Sequence, residues 1–457
     1  MPLSRRHFLR STAATSLAFS GLSTLAAAQE RSEIQGFLNQ VDGFGPLQAD
    51  PAGLFDLPDG FSYDVISTAG DAMSDGLVVP GDLDGMACFQ RADGRIVLVR
   101  NHELRAHETA KSPYGADAAG LVLIDRERVH DWADRDTPHL GGTTHIVLDP
   151  QTLAVEAQFL SLAGTENNCA GGPTPWGSWL TCEETERNAG DGAHVEHGYV
   201  FEVPHDATGL VDPVPLKAMG RFRHEAVAVD PATSIAYQTE DRYDLCLFYR
   251  FIPRVAQRYA EGGRLQALAV RGQPGLDLRN WTRSRIRPGE WMDVEWVDLD
   301  DVEAPEADLA LRGFAAGAAQ FTRGEGIWWG EDECYFACTD GGPERLGQIW
   351  RYQPDENGGR LQLFFESHDG AVMENCDNLC VAPWGDLIVV EDGDADQYIR
   401  GVTPAGEVYT IGRNAHPENS EICGPCFSPD GSTLFFNVQD GPGRTFAVRG
   451  PWPARSR

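Results

Sequence analysis

A fifteen-residue interval recurs along this chain, and it leaves few folds open to it. Cys169 to Glu184, Glu225 to Glu240, Glu325 to Asp340 and Asp377 to Asp392 share one shape. Each opens on a polar or acidic residue and runs through four or five apolar or small residues. It then turns at Pro, Gly or Asp and returns through a β-rich run to a carboxylate. In a hairpin that spacing sets the first and last residues side by side at the open end. Two more units of the same shape, from Asp84 to Glu103 and from Cys423 to Asp440, bring the hairpins to six. Their starts at 84, 169, 225, 325, 377 and 423 are too uneven for a tandem solenoid and suit propeller blades with variable outer connections. Runs at 144–148, 199–203, 247–251, 348–352 and 409–411 supply outer strands. The predicted fold is therefore all-β, a six-bladed β-propeller over 56–457 as a single domain, whose closure removes long exposed edges. Residues 29–55 predict an N-terminal arm. Pro-, Arg- and Asp-rich sequence at about 255–320 predicts a mostly non-β insertion over one face.

The segment 1–28 reads as a twin-arginine signal peptide. Ser4-Arg5-Arg6-His7-Phe8-Leu9-Arg10 carries the arginine pair, a weakly apolar run follows, and Ala26-Ala27-Ala28 offers a cleavage site. The apolar run is too weak for a stable spanning helix, so no stable membrane anchor is expected. The product is expected to be periplasmic or secreted, delivered folded by the twin-arginine export machinery and able to acquire metals before export. Formal charge is −32, with 69 Asp plus Glu against 37 Lys plus Arg. That balance argues against nucleic acid or an anionic membrane as partner and favours cations.

Six converging hairpin ends would bring together Asp84, Asn101 or Glu103, Cys169, Glu184, Glu225, Glu240, Glu325, Asp340, Asp377, Asn378, Glu391 and Asp392. Two unit charges 4 Å apart interact by about 4 kcal/mol at an effective dielectric of 20. Several such repulsions exceed the stability of a whole domain unless cations neutralise them. Carboxylate and carboxamide oxygens suit hard ions, whereas a thiolate suits a transition metal. Cys169 stands out as sulfur where the other ends offer oxygen, and the fifteen-residue offset favours Glu184 over Glu183 as the inward group. Arg323 lies two residues before Glu325, so both side chains share a face of an extended strand. Its guanidinium suits bidentate clamping of a phosphate, the alternative being an ion pair with a neighbouring glutamate. Neither His-Glu-x-x-His nor Gly-x-Ser-x-Gly occurs, which removes support for zinc-protease and serine-esterase chemistry.

Several motifs carry a family resemblance. They are the arginine-pair signal, the stretch from Asn168-Cys169 through Thr174-Pro175-Trp176-Gly177 to Cys182-Glu183-Glu184, Arg223-His224-Glu225-Ala226, Phe321 to Trp328, and Asp377-Asn378 followed by Pro383-Trp384-Gly385. Together they resemble the PhoX family of secreted alkaline phosphatases over nearly the whole mature chain. The resemblance implies a propeller whose centre holds two ferric ions (Fe3+), bridged by a cysteine thiolate and an oxo group, with two or three calcium ions (Ca2+) alongside. It implies hydrolysis of small-molecule phosphomonoesters; a monomer is expected. Cys169, Glu184, Glu225 and Glu325 would be iron ligands, and Asp377, Asn378 and Asp392 would serve calcium. Arg323, Cys169 and Glu225 would form the catalytic set, with Arg323 holding phosphate. A calcium-dependent lactonase or phosphotriesterase propeller, and a non-catalytic calcium-stabilised binding propeller, are the competing readings.

Overall fold

The computed structural model describes residues 36–133, 136–282 and 285–453, so the signal-peptide reading lies outside the described residues. Regular structure within them is almost entirely antiparallel strand. Six hairpins organise the molecule. They pair Leu83–Gln90 with Ile96–His102, Asn168–Pro173 with Ser178–Glu183, and His224–Val229 with Ala236–Glu240. The others pair Gly324–Trp329 with Cys334–Cys338, Cys376–Val381 with Leu387–Glu391, and Ile422–Phe427 with Thr433–Val438. The first strands of successive hairpins lie side by side, and the last lies against the first, so the ring closes. The arrangement is propeller-like. Return strands such as Ile96–His102 and Leu387–Glu391 are buried along their whole length. They lie between neighbouring sheets, which is why they read as continuous apolar runs rather than as alternating ones.

The ring is sealed by its two ends. Ser62–Thr68, from the start of the described chain, pairs antiparallel with Arg444–Arg449 near its end. Sequence-distant strands thereby share one four-stranded sheet and leave no open seam. Residues 37–48 lie over the sheet next to this seam. The Leu38 and Gln40 amides donate to the Ala371 and Val408 carbonyls. Phe44 sits edge-on to Phe61, Trp384, Tyr409 and Trp452. Aromatic pairs of that geometry contribute about 0.5–1.5 kcal/mol each beyond their buried area.

The 255–320 span departs from expectation. It is threaded into the sheet rather than laid over one face. Gly263–Val270 and Trp291–Asp298 pair with each other, and Trp291 to Asp293 pair with Gln362 to Arg360. These two strands merge the third and fourth hairpins into one nine-stranded sheet. The cause is the run Leu265-Gln-Ala-Leu-Ala-Val270, buried throughout, which burial holds as a strand although its surroundings are rich in turn formers. The only α-helix among the described residues is Leu309–Ala315, and none is long and apolar enough to cross a membrane.

A register irregularity recurs where each inner strand begins. It falls between Leu83 and Met86, Asn168 and Gly171, His224 and Val227, Gly324 and Ile327, Cys376 and Leu379, and Cys423 and Cys426. Bulges bend a strand and re-aim the side chains beside them. Here they turn one end of every hairpin toward the axis.

Candidate active site

Three positions repeat around the ring and build its acidic end. The first is Asp82, Asn167, Arg223, Arg323, Asn375 or Glu421. Its backbone carbonyl accepts a hydrogen bond from the amide of Glu103, Glu184, Asp241, Thr339, Asp392 or Gln439 respectively, at 2.8–3.2 Å. Two residues after the first position comes the second: Asp84, Cys169, Glu225, Glu325, Asp377 or Cys423. The repeated carbonyl–amide clasp closes each hairpin end and sets the second and third positions side by side. Asp82, Asn167, Arg323 and Asn375 adopt positive φ (37–55°), the tight reversal that lets the chain enter the strand already turned inward.

Beneath the second position lies a ring of small residues, Gly85, Ala170, Ala226, Gly326, Asn378 and Gly424, around a channel of about 20 Å³. Six strands converge here, so bulk is excluded. A Cβ on Gly326 would lie 2.6 Å from Asn378 Cα, and one on Gly424 would lie 2.7 Å from the Asp84 carbonyl oxygen. The channel has room for about one water and no more. The acidic ring therefore has a closed floor, and its open side carries Arg223, Arg323 and Asp392.

Donor atoms cluster in three groups within 4.8 Å of one another. They are Cys169, Glu184 and Glu225; then Glu225, Glu325 and Asp377; then Asp84, Glu103 and Glu421. Glu225 belongs to two of them and links the thiol to the far carboxylates. Asn167 Nδ2 donates to Glu103 Oε1 and to Glu184 Oε2, each at 3.0 Å, and ties the first group to the third. Its Oδ1 is buried without a hydrogen-bond partner. Arg323 reaches Glu325 Oε1 (2.7 Å), Asp241 Oδ1 (3.1 Å) and Asp392 Oδ2 (3.9 Å), and its side chain remains 30% exposed at the mouth. Arg223 pairs with Glu184 and stands 3.9 Å from Asp241.

The electrostatics are those of a site short of positive charge. Burial, reinforced by like-charged neighbours, lifts seven of the inward carboxyl groups. Glu103 rises to about 6, Asp377 to about 7 and Glu184 to about 8, and Asp84, Glu225, Glu325 and Glu421 stand well above the ordinary carboxylate range. The Cys169 thiol is pushed up by burial and by Glu225, Glu184 and Asp84. Glu325 and Asp241 hold the Arg323 guanidinium charged, well above its ordinary value. Nine carboxyl groups (Asp84, Glu103, Glu184, Glu225, Asp241, Glu325, Asp377, Asp392, Glu421) face two guanidinium groups. Multivalent cations fit this donor set, and protons occupy it in their absence.

The structure brings together Cys169, Glu184, Glu225, Glu325, Asp377, Asp392 and Arg323, all named by sequence. Asn378 lies one layer down in the small-residue ring, its Oδ1 accepting from the Gly424 amide (3.0 Å) and its Nδ2 donating to Asp377 (3.2 Å). Other inward expectations need correction. Glu240 faces away, accepting from the Tyr249 hydroxyl (2.7 Å) and the Leu247 amide (3.2 Å), and Asp241 takes the inward place. Glu391 likewise binds Arg400 Nε (2.9 Å) and the Glu374 amide (2.9 Å), leaving Asp392 inward. In the fourth hairpin Thr339 occupies the clasped position, while Asp340 binds Arg345 at the rim (3.3 Å). Cys169 is not the only sulfur in the ring, because Cys423 holds the equivalent position with its thiol donating to the Leu83 carbonyl (2.9 Å). Glu421 went unread because it precedes its strand. The signal that finds it is its place two residues before Cys423, where Arg323 stands before Glu325.

The fold and this centre define a propeller-like protein with a candidate metal centre at its axis. Residues 42–443 match the model of the alkaline phosphatase PhoX family, and the chain belongs to that family, a hydrolase of phosphomonoesters. Among solved structures it is similar to Pseudomonas fluorescens PhoX in complex with vanadate, a transition state analogue. The two share 18% identity and a TM-score of 0.66, covering 91% of this chain and 98% of that one, a likeness of fold. A putative gluconolactonase aligns at 10% identity and a TM-score of 0.44, over 90% of this chain and 100% of that one. A Xanthomonas campestris gluconolactonase aligns at 14% and 0.39, over 90% and 99%. These last two are too distant to bear on activity. No curated protein matches the chain in sequence.

Proposed function

We propose that phosphomonoester hydrolysis takes place at the acidic mouth of a six-bladed propeller, over cations held by the second and third positions of the ring. The observation that carries this reading is the linked donor set, in which Glu225 joins the Cys169 group to Glu325 and Asp377 within 4.8 Å. Cys169, Glu184, Glu225 and Glu325 would hold two ferric ions. Asp377 and Asp392, with Asn378 behind them, would hold calcium, and Asp84, Glu103 and Glu421 form a further oxygen-only group for the same kind of ion. When bound, such ions supply neutralising charge for the phosphoryl oxygens and lower the pKa of water.

The chain's own residues supply orientation. Asp241 and Glu325 fix the plane of the Arg323 guanidinium, and its partly exposed edge donates to two oxygens of an incoming phosphate. Arg223, held by Glu184 and 3.9 Å from Asp241, adds a second positive charge at the mouth. The closed floor of small residues confines substrate to one approach. Loading cations displaces the protons that burial retains on Glu184, Asp377 and Glu103, so occupancy favours pH above about 8. An alkaline working range follows. Competing lactonase and binding-propeller readings lose ground to family membership and to the thiol in the first donor group.

The mature enzyme is proposed to act as a monomer in the periplasm or outside the cell after twin-arginine export, with 1–28 removed. Replacing Arg5 and Arg6 by Lys should leave the precursor in the cytoplasm. The catalytic reading is tested by Cys169→Ala, with bound iron and phosphomonoesterase rate measured together. Loss of iron and about a 100-fold or greater fall in kcat are expected. Unchanged iron and rate would sink it.

A further inference from the structure

Behind the second hairpin, on the side of Ser178–Glu183 turned away from the axis, lies a histidine-rich cluster that phosphate-ester hydrolysis does not use. His197 and His139 are both fully buried. His197 Nδ1 lies 2.6 Å from Glu183 Oε1, and its Nε2 lies 3.2 Å from Asp131 Oδ2. His139 repeats the arrangement more loosely. Its Nδ1 is 3.7 Å from Glu166 Oε1 and its Nε2 is 3.8 Å from Asp131 Oδ2. Among the described residues neither His139 nitrogen has a hydrogen-bond partner. A buried imidazole with two unsatisfied nitrogens is costly, and it needs a reason.

The surroundings point to that reason. Glu166 is held in a fork by Arg187, at 2.6 and 2.7 Å. Glu183 also accepts from the backbone amides of Glu166, Gly198 and Tyr199. Both carboxylates are therefore fixed behind an imidazole whose other nitrogen faces Asp131. A carboxylate behind each histidine is the arrangement that orients metal-ligating imidazoles and raises their basicity. Charge argues the same way. Asp131, Glu166 and Glu183 are buried carboxylates, and among the described residues Arg187, paired with Glu166, is the one arginine or lysine in an ion pair with them. A divalent ion supplies both missing charges, whereas a proton on His197 supplies one.

We propose that Asp131, His139 and His197 hold a divalent transition-metal ion of the zinc class, separate from the axial centre. The three donor atoms lie within 4.8 Å of one another. Two imidazole nitrogens and a carboxylate are a donor set suited to zinc and poorly suited to calcium. The exposed His194 stands beside the group, its Nδ1 3.3 Å from Asp131 Oδ1. The ion braces the second hairpin from behind. Asp131 and His130 are hydrogen-bonded through their amides to Gly164 and Ala163, and Glu183 immediately precedes the inward Glu184.

The test uses the full chain expressed with zinc supplied. X-ray absorption at the zinc edge should show imidazole scattering from about one ion per chain. No histidine lines the axial donor groups, so this signature separates the two sites. His139→Asn should lose that ion while iron and calcium contents stay as in the unsubstituted protein. The proposal is overturned if the unsubstituted protein holds no imidazole-ligated zinc, or if His139→Asn retains as much as it does. The first arm needs no variant and decides the matter even if His139→Asn does not fold.

Discussion

At the scale of single residues, direction of pointing separates ligand from scaffold. Glu183, Glu240 and Glu391 end their strands and are consumed by hydrogen bonds on the outer side, and Glu184, Asp241 and Asp392 follow them and face inward. Glu240→Gln is therefore expected to leave phosphatase activity within about two-fold, since a carboxamide oxygen still accepts from Tyr249. Asp241→Asn frees Arg323 from its bidentate partner and should lower kcat/KM about ten-fold or more. Equal losses for the two variants would contradict the assignment. Arg323→Ala should lower kcat/KM by about 100-fold without changing bound metal, and Arg323→Lys should recover only part of it, because an ammonium is a point charge without the planar fork. Steady-state kinetics beside metal analysis reads both. From sequence the fifteen-residue interval picks Glu184, which faces inward, and Glu240, which does not, because the turn between Val229 and Ala236 holds six residues where the turn between Pro173 and Trp179 holds five.

At the scale of elements, six hairpins and their apolar returns were legible because burial on both faces writes a simple pattern. The bulges were not, since nothing local in Cys376-Asp377-Asn378 or Gly324-Glu325-Gly326 marks a two-against-three register. Nor was the strand Gly263–Val270, whose short apolar run lies among Pro and Arg residues that read as connection. The small-residue ring gives the sharpest test at this scale. Gly326→Ala places a Cβ 2.6 Å from Asn378 Cα, a clash with backbone that no rotamer relieves. It should destabilise the fold by about 1–3 kcal/mol, read as a lowered denaturation midpoint, and should disturb Asp377 on the neighbouring strand. A midpoint equal to the unsubstituted protein's would mean that the strands converge less tightly than described.

At the scale of the whole molecule, ring closure and charge are one problem. Pairing Ser62–Thr68 with Arg444–Arg449 closes a ring whose centre then concentrates nine carboxyl groups, and the cost of that concentration depends on what neutralises it. Glu184 titrates near 8 in the folded protein against 4.5 for an ordinary glutamate, and Asp377 near 7 against 3.8. With cations chelated, these groups stabilise the fold fully below about pH 4, and that contribution is lost as pH rises through 7 and 8. Melting temperature of chelated protein should fall between pH 5 and 8, and cations should restore it most at the alkaline end. A flat profile would show that the ring is not strained by charge. The most direct test of the centre itself is anomalous X-ray diffraction at the iron edge from crystals of the exported protein. The account predicts peaks bounded by Cys169 Sγ and the carboxylates of Glu184, Glu225 and Glu325. An axis without anomalous density, in protein that hydrolyses phosphomonoesters, would contradict it.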